Sequence, residues 1–161
     1  MPLDTLTTLF QHNRWANLRL LEQCAGLTDA QLDATLAGTY GSIRDTWQHL
    51  ATAERSYLSR ISTGQRYSRP KDAPPLTPAE LKEALEASGA GLVEWAAKVQ
   101  AGDTVAIEWG GSPRAVPKTI LLTQAINHAT EHRAQIMALM TQAGVQPPDL
   151  DGWTYLDVLE P

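Results

Sequence analysis

Two histidines four residues apart, in the run His128-Ala129-Thr130-Glu131-His132, are the residues of this chain best spaced for chemistry. At a rise of about 1.5 Å per residue, helix positions four apart share one face roughly 6 Å from each other, so two imidazoles can converge on one ion. Leu121, Ala125, Ile136 and Leu139 fall on the same face and turn the pair toward a core. A lone histidine on an apolar face is ordinarily a core residue with its hydrogen bonds met. A pair needs a partner for each ring, and one metal ion serves both; imidazole suits Zn, Ni, Cu and Fe. The third ligand has to come from another element. His49 is the first candidate: it lies off the apolar stripe of its segment, beside Thr46 and Ala53, which suits a cavity mouth. His12, also off its apolar face, is the second. Three neutral imidazoles leave a coordination position open, unlike the closed four-ligand sites of structural zinc, and the chain has one cysteine. An ion with an open position lowers the pKa of water or polarises an oxygen.

The same run matches H-x-x-E-H, the inverted metalloprotease signature. Glu131 points off the histidine face, however, and the stretch after His132 holds a single glutamate, Glu160, beside the C-terminus. A protease is therefore the weaker reading. No G-x-x-x-x-G-K-[ST], no G-x-G-x-x-G after a strand and no G-x-S-x-G is present.

Three further polar residues lie on apolar stripes. Asn13 and Asn17 share a face with Leu6, Phe10, Leu20, Leu21 and Cys24. Buried amides need partners, so they mark either a polar pocket or hydrogen bonds between helices. Glu54 falls among Trp47, Leu50, Tyr57, Leu58 and Ile61. A buried carboxylate is costly alone, so it pairs with a cation such as an arginine or serves a site. Cys24 reads as packing. Trp15, opposite Leu6 and Asn13, is either covered by another element or marks a partner surface.

The elements that must position these groups follow from periodicity and punctuation. A helix runs from about Leu3 to Cys24 and stops at Gly26; Thr28-Asp29-Ala30-Gln31 has capping-box spacing for a short turn. A second long helix spans about Ser42 to Ser62. The proline-rich stretch from Gly64 to Pro78 reads as a stiff crossover between non-adjacent helix ends. Thr77-Pro78-Ala79-Glu80 starts a helix that reaches about Val99 and is weakened at Gly89 and Gly91. Thr104 to Trp109 alternates as a strand, Gly110-Gly111 is a hairpin turn, and Arg114 to Val116 returns. Pro117 opens the last long helix, which Gly144 ends. The tail from Pro147 to Pro161, with Trp153 and Tyr155, packs across the rest. The expectation is an all-α fold: a four-helix bundle with a long crossover loop and a short β-hairpin before the last helix, in one domain over 1–161.

Composition narrows the function. With 161 residues, 43% hydrophobic and 19% charged, the chain has the make-up of a folded domain. Thirteen Lys+Arg against 18 Asp+Glu give a net charge of −5, and no basic run suits a nucleic-acid duplex. No signal peptide and no apolar run of about 20 residues is seen, so no membrane role is expected and a cytoplasmic location is.

With these residues in view, the chain resembles the DinB family of bacterial metal-binding four-helix bundles over nearly its whole length. His12-Asn13-Arg14-Trp15-Ala16-Asn17 is similar to the family's first-helix Y-N-x-W-A-N. Gly41-Ser42-Ile43-Arg44-Asp45, then His49-Leu50 and Ala53-Glu54, resembles its second helix. Asn127-His128 with His132-Arg133 and Gln135, after a short hairpin, resembles its last. The resemblance implies a metal triad of His49, His128 and His132, a nickel or zinc ion, a homodimer, and reactions dependent on small thiols. The chain departs from the family at His12, where tyrosine is common, and at Glu131 and Ala134, where histidine and glycine are frequent. The leading expectation is a metalloenzyme, a thiol-dependent transferase or hydrolase, with His12, Asn13, Asn17 and Glu54 as candidate groups around the ion. The alternative is a non-catalytic, metal-binding, stress-related protein.

Overall fold

Side-chain caps set where the helices begin. In the computed structural model, which describes residues 4–160, α1 (Thr5–Cys24) starts where the Asp4 carboxylate accepts from Thr7 N. The expected start at Leu3 lies outside the described residues. Capping boxes open α2 (Asp29–Asp33) through Thr28 and Gln31, α3 (Ile43–Thr63) through Ser42 and Asp45, and α4 (Pro78–Ala96) through Thr77 and Glu80. A hairpin of β1 (Thr104–Trp109) and β2 (Ser112–Pro117) precedes α5 (Lys118–Gln142) and the short α6 (Gly152–Leu159). Its strands pair Thr104 with Pro117 through Trp109 with Ser112, and Gly110 and Gly111 supply the two positive φ angles of the two-residue turn. The helix expected to reach Val99 ends at Ala96.

The four long helices pack in a ring: α1 lies beside α4 and α5, and α3 beside the same two. Glu54 meets Ser88 and Leu58 meets Gly91, so α3 and α4 run in the same direction. The connection 64–77 must therefore travel back the length of the pair. On its return the Gln48 side chain holds the Leu76 backbone through two hydrogen bonds of 2.8 Å. The crossover thus joins opposite ends of helices that are neighbours.

Two apolar clusters fill the interior. One gathers Leu20, Trp47, Leu50, Leu85, Ile136 and Met140; the other gathers Phe10, Ile61, Leu92, Val105, Leu121 and Ala125. On every long helix a buried polar residue falls between the two: Asn13 and Asn17 on α1, Glu54 on α3, Ser88 on α4 and Arg133 on α5. The interior is a sandwich of oil, charge and oil.

Three local expectations change. Leu6, placed on the apolar stripe of α1, is 41% exposed. Gly89 and Gly91 do not interrupt α4 but let other chains come close. A Cβ at Gly89 would stand 2.7 Å from Arg14 Cγ, and one at Gly91 2.5 Å from Leu58 Cδ2. The tail forms α6 and lies on α1, where Tyr155 is buried while Trp153 stays 79% exposed. Trp15 is half-buried beneath it, with its ring 5.2 Å from that of Tyr155.

Candidate metal centre

Helices α3 and α5 run antiparallel, since Ile61 packs near Leu121 while Trp47 packs near Met140. That arrangement sets His49 opposite the face carrying His128 and His132. The three ring centroids are 4.8, 4.8 and 4.4 Å apart, close to an equilateral triangle. Each ring offers one nitrogen to a set whose members all lie within 4.8 Å of one another. Nε2 of His49 and Nε2 of His128 face each other at 2.9 Å. Metal–nitrogen bonds of about 2.0–2.1 Å would set ligand nitrogens roughly 2.9–3.4 Å apart, so the His49–His128 spacing already suits a shared ion and His132 lies within reach of it.

Protonation favours the same use. Burial, and then the neighbouring rings of His132 and His49, push His128 down to about 4. Burial and His132 also lower His49. These rings are neutral at pH 7, and a neutral imidazole is the form that ligates.

The surroundings fix His132 further. The Tyr40 backbone N–H donates to Gln135 Oε1 at 3.2 Å, which settles that this amide atom is an acceptor. The same oxygen lies 2.9 Å from His132 Nδ1, so Nδ1 carries the proton and Nε2 keeps its lone pair. The Tyr40 ring stacks on His49 at 4.1 Å and 17°, and meets His132 edge-on. Tyr57 meets the edge of His128. His132 is buried, while His49 and His128 are half-exposed, so the cluster opens on one side.

Next to the histidine cluster, the polar layer is tied together by Arg133. Its Nη1 donates to Asn13 Oδ1 at 2.6 Å and Asn17 Oδ1 at 2.7 Å. Both amides in turn donate to Glu54 Oε2, at 3.2 and 2.9 Å, and Ser88 donates to Oε1 at 2.5 Å. Burial raises the Glu54 pKa, against the pull of Ser88, Asn13, Arg133 and Asn17. Burial lowers Arg133 to about 10, with Glu54 opposing, so the guanidinium keeps its charge at neutral pH. Glu54 thus reaches an arginine, one of the two roles its sequence position allowed, through two asparagines and not by direct contact. Arg133 follows His132 directly, so this network sets the rotation of α5 that presents the histidines.

His12 belongs elsewhere. Its Nε2 donates to the Leu150 carbonyl at 2.7 Å, and its ring packs on Trp15 and Tyr155. It anchors the C-terminal segment to α1. Glu131 is exposed and stands outside the histidine set. Cys24 is buried, and burial pushes its thiol up to about 11, which suits packing and not nucleophilic attack. Reading the residues alone missed Tyr40 and Tyr57 as neighbours of the site. Gln135 carried a signal of its own, its spacing three residues after His132.

The model of the DinB family matches residues 1–161. The crystal structure of a DinB-like protein from Bacillus cereus shares the fold, with a TM-score of 0.61, 24% identity and coverage of 86% of this chain and 91% of that one. No curated protein matches the sequence. With the helical fold, the hairpin before the last long helix and a match that spans every residue, the chain belongs to the DinB family.

Proposed function

We propose that this protein is a metal-dependent enzyme in which His49, His128 and His132 hold one divalent ion, nickel or zinc, within a single-domain four-helix bundle. The observation that carries the reading is three imidazole nitrogens within 4.8 Å of one another on a cluster with an open side. An ion bound there supplies Lewis acidity, lowering the pKa of a thiol or a water that reaches it. The reaction class that fits is transfer onto or hydrolysis by such a nucleophile, with a small thiol as co-substrate. The chain's own residues do the positioning. Gln135 fixes the His132 tautomer, Tyr40 covers one face of His49, and the Arg133 network locks the helix that bears two ligands.

Metal analysis of the purified protein beside His128→Ala and His132→Ala tests the site. Stoichiometric metal in the wild type and loss in both variants is expected; metal that survives both overturns the assignment. Turnover of an electrophile with several small thiols, dependent on the ion and above both variants, then tests the activity. A second reading, a non-catalytic, stress-related metal-binding protein, draws on Glu131: the one carboxylate within the histidine run is exposed and outside the cluster. Absence of turnover in a fully loaded protein would favour it.

Assembly and setting complete the reading. Leu6 and Leu9 on α1 and Trp153, Leu156 and Val158 on α6 are exposed on helices that pack together. An apolar surface of that kind supports a homodimer, checked by sedimentation of wild type against Trp153→Ser. No helix among the described residues is long and apolar enough to cross a membrane. We assign the protein to the cytoplasm, checked by fractionation.

A further inference from the structure

His49, one of the two half-exposed histidines of the cluster, also lines a cavity of about 360 Å³ between α3 and the 64–77 connection. That volume lies in the range of small-molecule sites. Its floor is one stripe of α3 that runs from His49 through Ala53 and Ser56 to Arg60. Eleven residues of helix place the two ends about 16 Å apart along the axis. Arg66 and Arg69, from the connection, join Arg60 in the lining, and no Asp or Glu lines the cavity.

Three arginines without an acid are unexpected in a chain of net charge −5. The ion pairs among the described residues engage Arg19, Arg44, Lys82 and Lys98. Arg69 donates to the Pro74 carbonyl at 2.5 Å, an internal brace of the connection. Arg60 and Arg66 have no carboxylate within 4.0 Å among the described residues, and the Arg66 charge reaches Arg60: burial first, and then Arg66, lower the Arg60 pKa. Two cations converging on a concave, half-covered space are the arrangement that binds an anion, and guanidinium suits carboxylate and phosphate oxygens in particular.

We propose that this cavity binds an elongated small-molecule substrate by an anionic end, a carboxylate or phosphate held by Arg60 and Arg66, with the opposite end directed at His49. The proposal rests on the metal-centre reading for the reacting end alone. The anion site stands on the arginines. It narrows the substrate to molecules whose charge is separated from the reacting atom by most of the cavity's length. Ser56 and Tyr57, which line the cavity between His49 and Arg60 along α3, are placed to contact the middle of such a molecule.

Calorimetric titration with inorganic phosphate and, separately, with succinate tests the site in the full-length protein, metal-loaded and as His128→Ala. At least one anion is expected to bind the wild type at millimolar concentration or below. Arg60→Met and Arg66→Gln should each weaken it tenfold or more, and Arg19→Gln, on α1, should change it less than twofold. Circular dichroism verifies the fold, and Arg66→Gln, in an exposed loop, keeps the test valid should Arg60→Met misfold. The anion preferred assigns phosphate or carboxylate. Binding that persists in His128→Ala supports the anion site independently of the metal. Failure of the wild type to bind either anion, binding unchanged in Arg66→Gln, or binding lost in a folded His128→Ala overturns it; the last would place the anion on the ion.

Discussion

His132 Nδ1 donates to Gln135 Oε1 one turn further along α5, and the Tyr40 backbone N–H, donating to the same oxygen, fixes which way the amide faces. Two hydrogen bonds to one oxygen thus determine the His132 tautomer and tie the loop before α3 to the helix that bears it. Partners of this kind beyond the ligands are commonly worth 10–100-fold in metal affinity. Gln135→Leu is therefore expected to weaken metal binding by about that factor. Gln135→Glu, which keeps an acceptor at the same reach, should bind at least as tightly as wild type. Competition with a chromogenic chelator measures both, and equal affinity for Gln135→Leu and wild type would refute the relay.

The Glu54–Arg133 network makes a separate prediction about stability. Removing either charge leaves the other buried among Asn13, Asn17 and Ser88 without its counterpart. Breaking a buried pair from one side typically costs about 3–5 kcal/mol, whereas replacing both partners by apolar groups of similar size is often close to neutral. Glu54→Leu and Arg133→Met should each be strongly destabilising in urea. The double variant should be much more stable than the sum of the two losses implies. Additive losses would mean that the two side chains do not act as a unit.

How much of this was legible in the sequence follows from what periodicity records. It reports burial, so it placed Asn13, Asn17 and Glu54 correctly on interior stripes, and all three are buried. His49 stands half-exposed at the edge of the core, where a hydrophobic stripe carries little information, so the residues made it only the first candidate for a third ligand and the resemblance named it as one. Tyr40 lies in the irregular connection between α2 and α3, where no period exists to read. His12 shows the opposite hazard. It adjoins Asn13 in the chain, but successive helical residues diverge by about 100°, and the turn carries it to Leu150. Helix starts at Thr28 and Thr77 were readable because each carries a capping residue three positions on, and the structure shows the same device at Ser42 with Asp45.

Gly89 gives a prediction in which two effects of opposite sign compete. Alanine is favoured over glycine inside a helix by about 1 kcal/mol. A Cβ at position 89, however, would stand 2.9 Å from Arg14 Cβ as well as 2.7 Å from its Cγ, so the backbones of α1 and α4 must part. Overpacking of this kind costs about 1–3 kcal/mol, so Gly89→Ala should be net destabilising. Gly91→Ala should cost less, because its nearest obstacle is the movable end of Leu58. Gly102→Ala, with nothing within 4 Å, is the control and should be neutral or mildly stabilising. Thermal unfolding of the three orders them.

The lowered pKa of His128 makes the metal-free protein sensitive to acid. Its ordinary value is 6.5, and burial with the two nearby rings holds it at about 4 in the folded chain. Between those values the unfolded chain binds the proton and the folded chain does not, so stability rises with pH across that window. Above it both states are neutral and the dependence vanishes; below it both are protonated and the loss is complete. Lowering the pH from 7 toward 4 should therefore reduce the stability of the metal-free protein. His128→Gln, which cannot titrate, should flatten that part of the profile. In the loaded protein, acid acts at a second point, because protons compete with the ion for the same nitrogens and the apparent metal affinity falls with pH. Urea titrations at several pH values, with and without metal, separate the two effects. A His128→Gln profile as steep as that of the wild type would show that the acid sensitivity arises at another group.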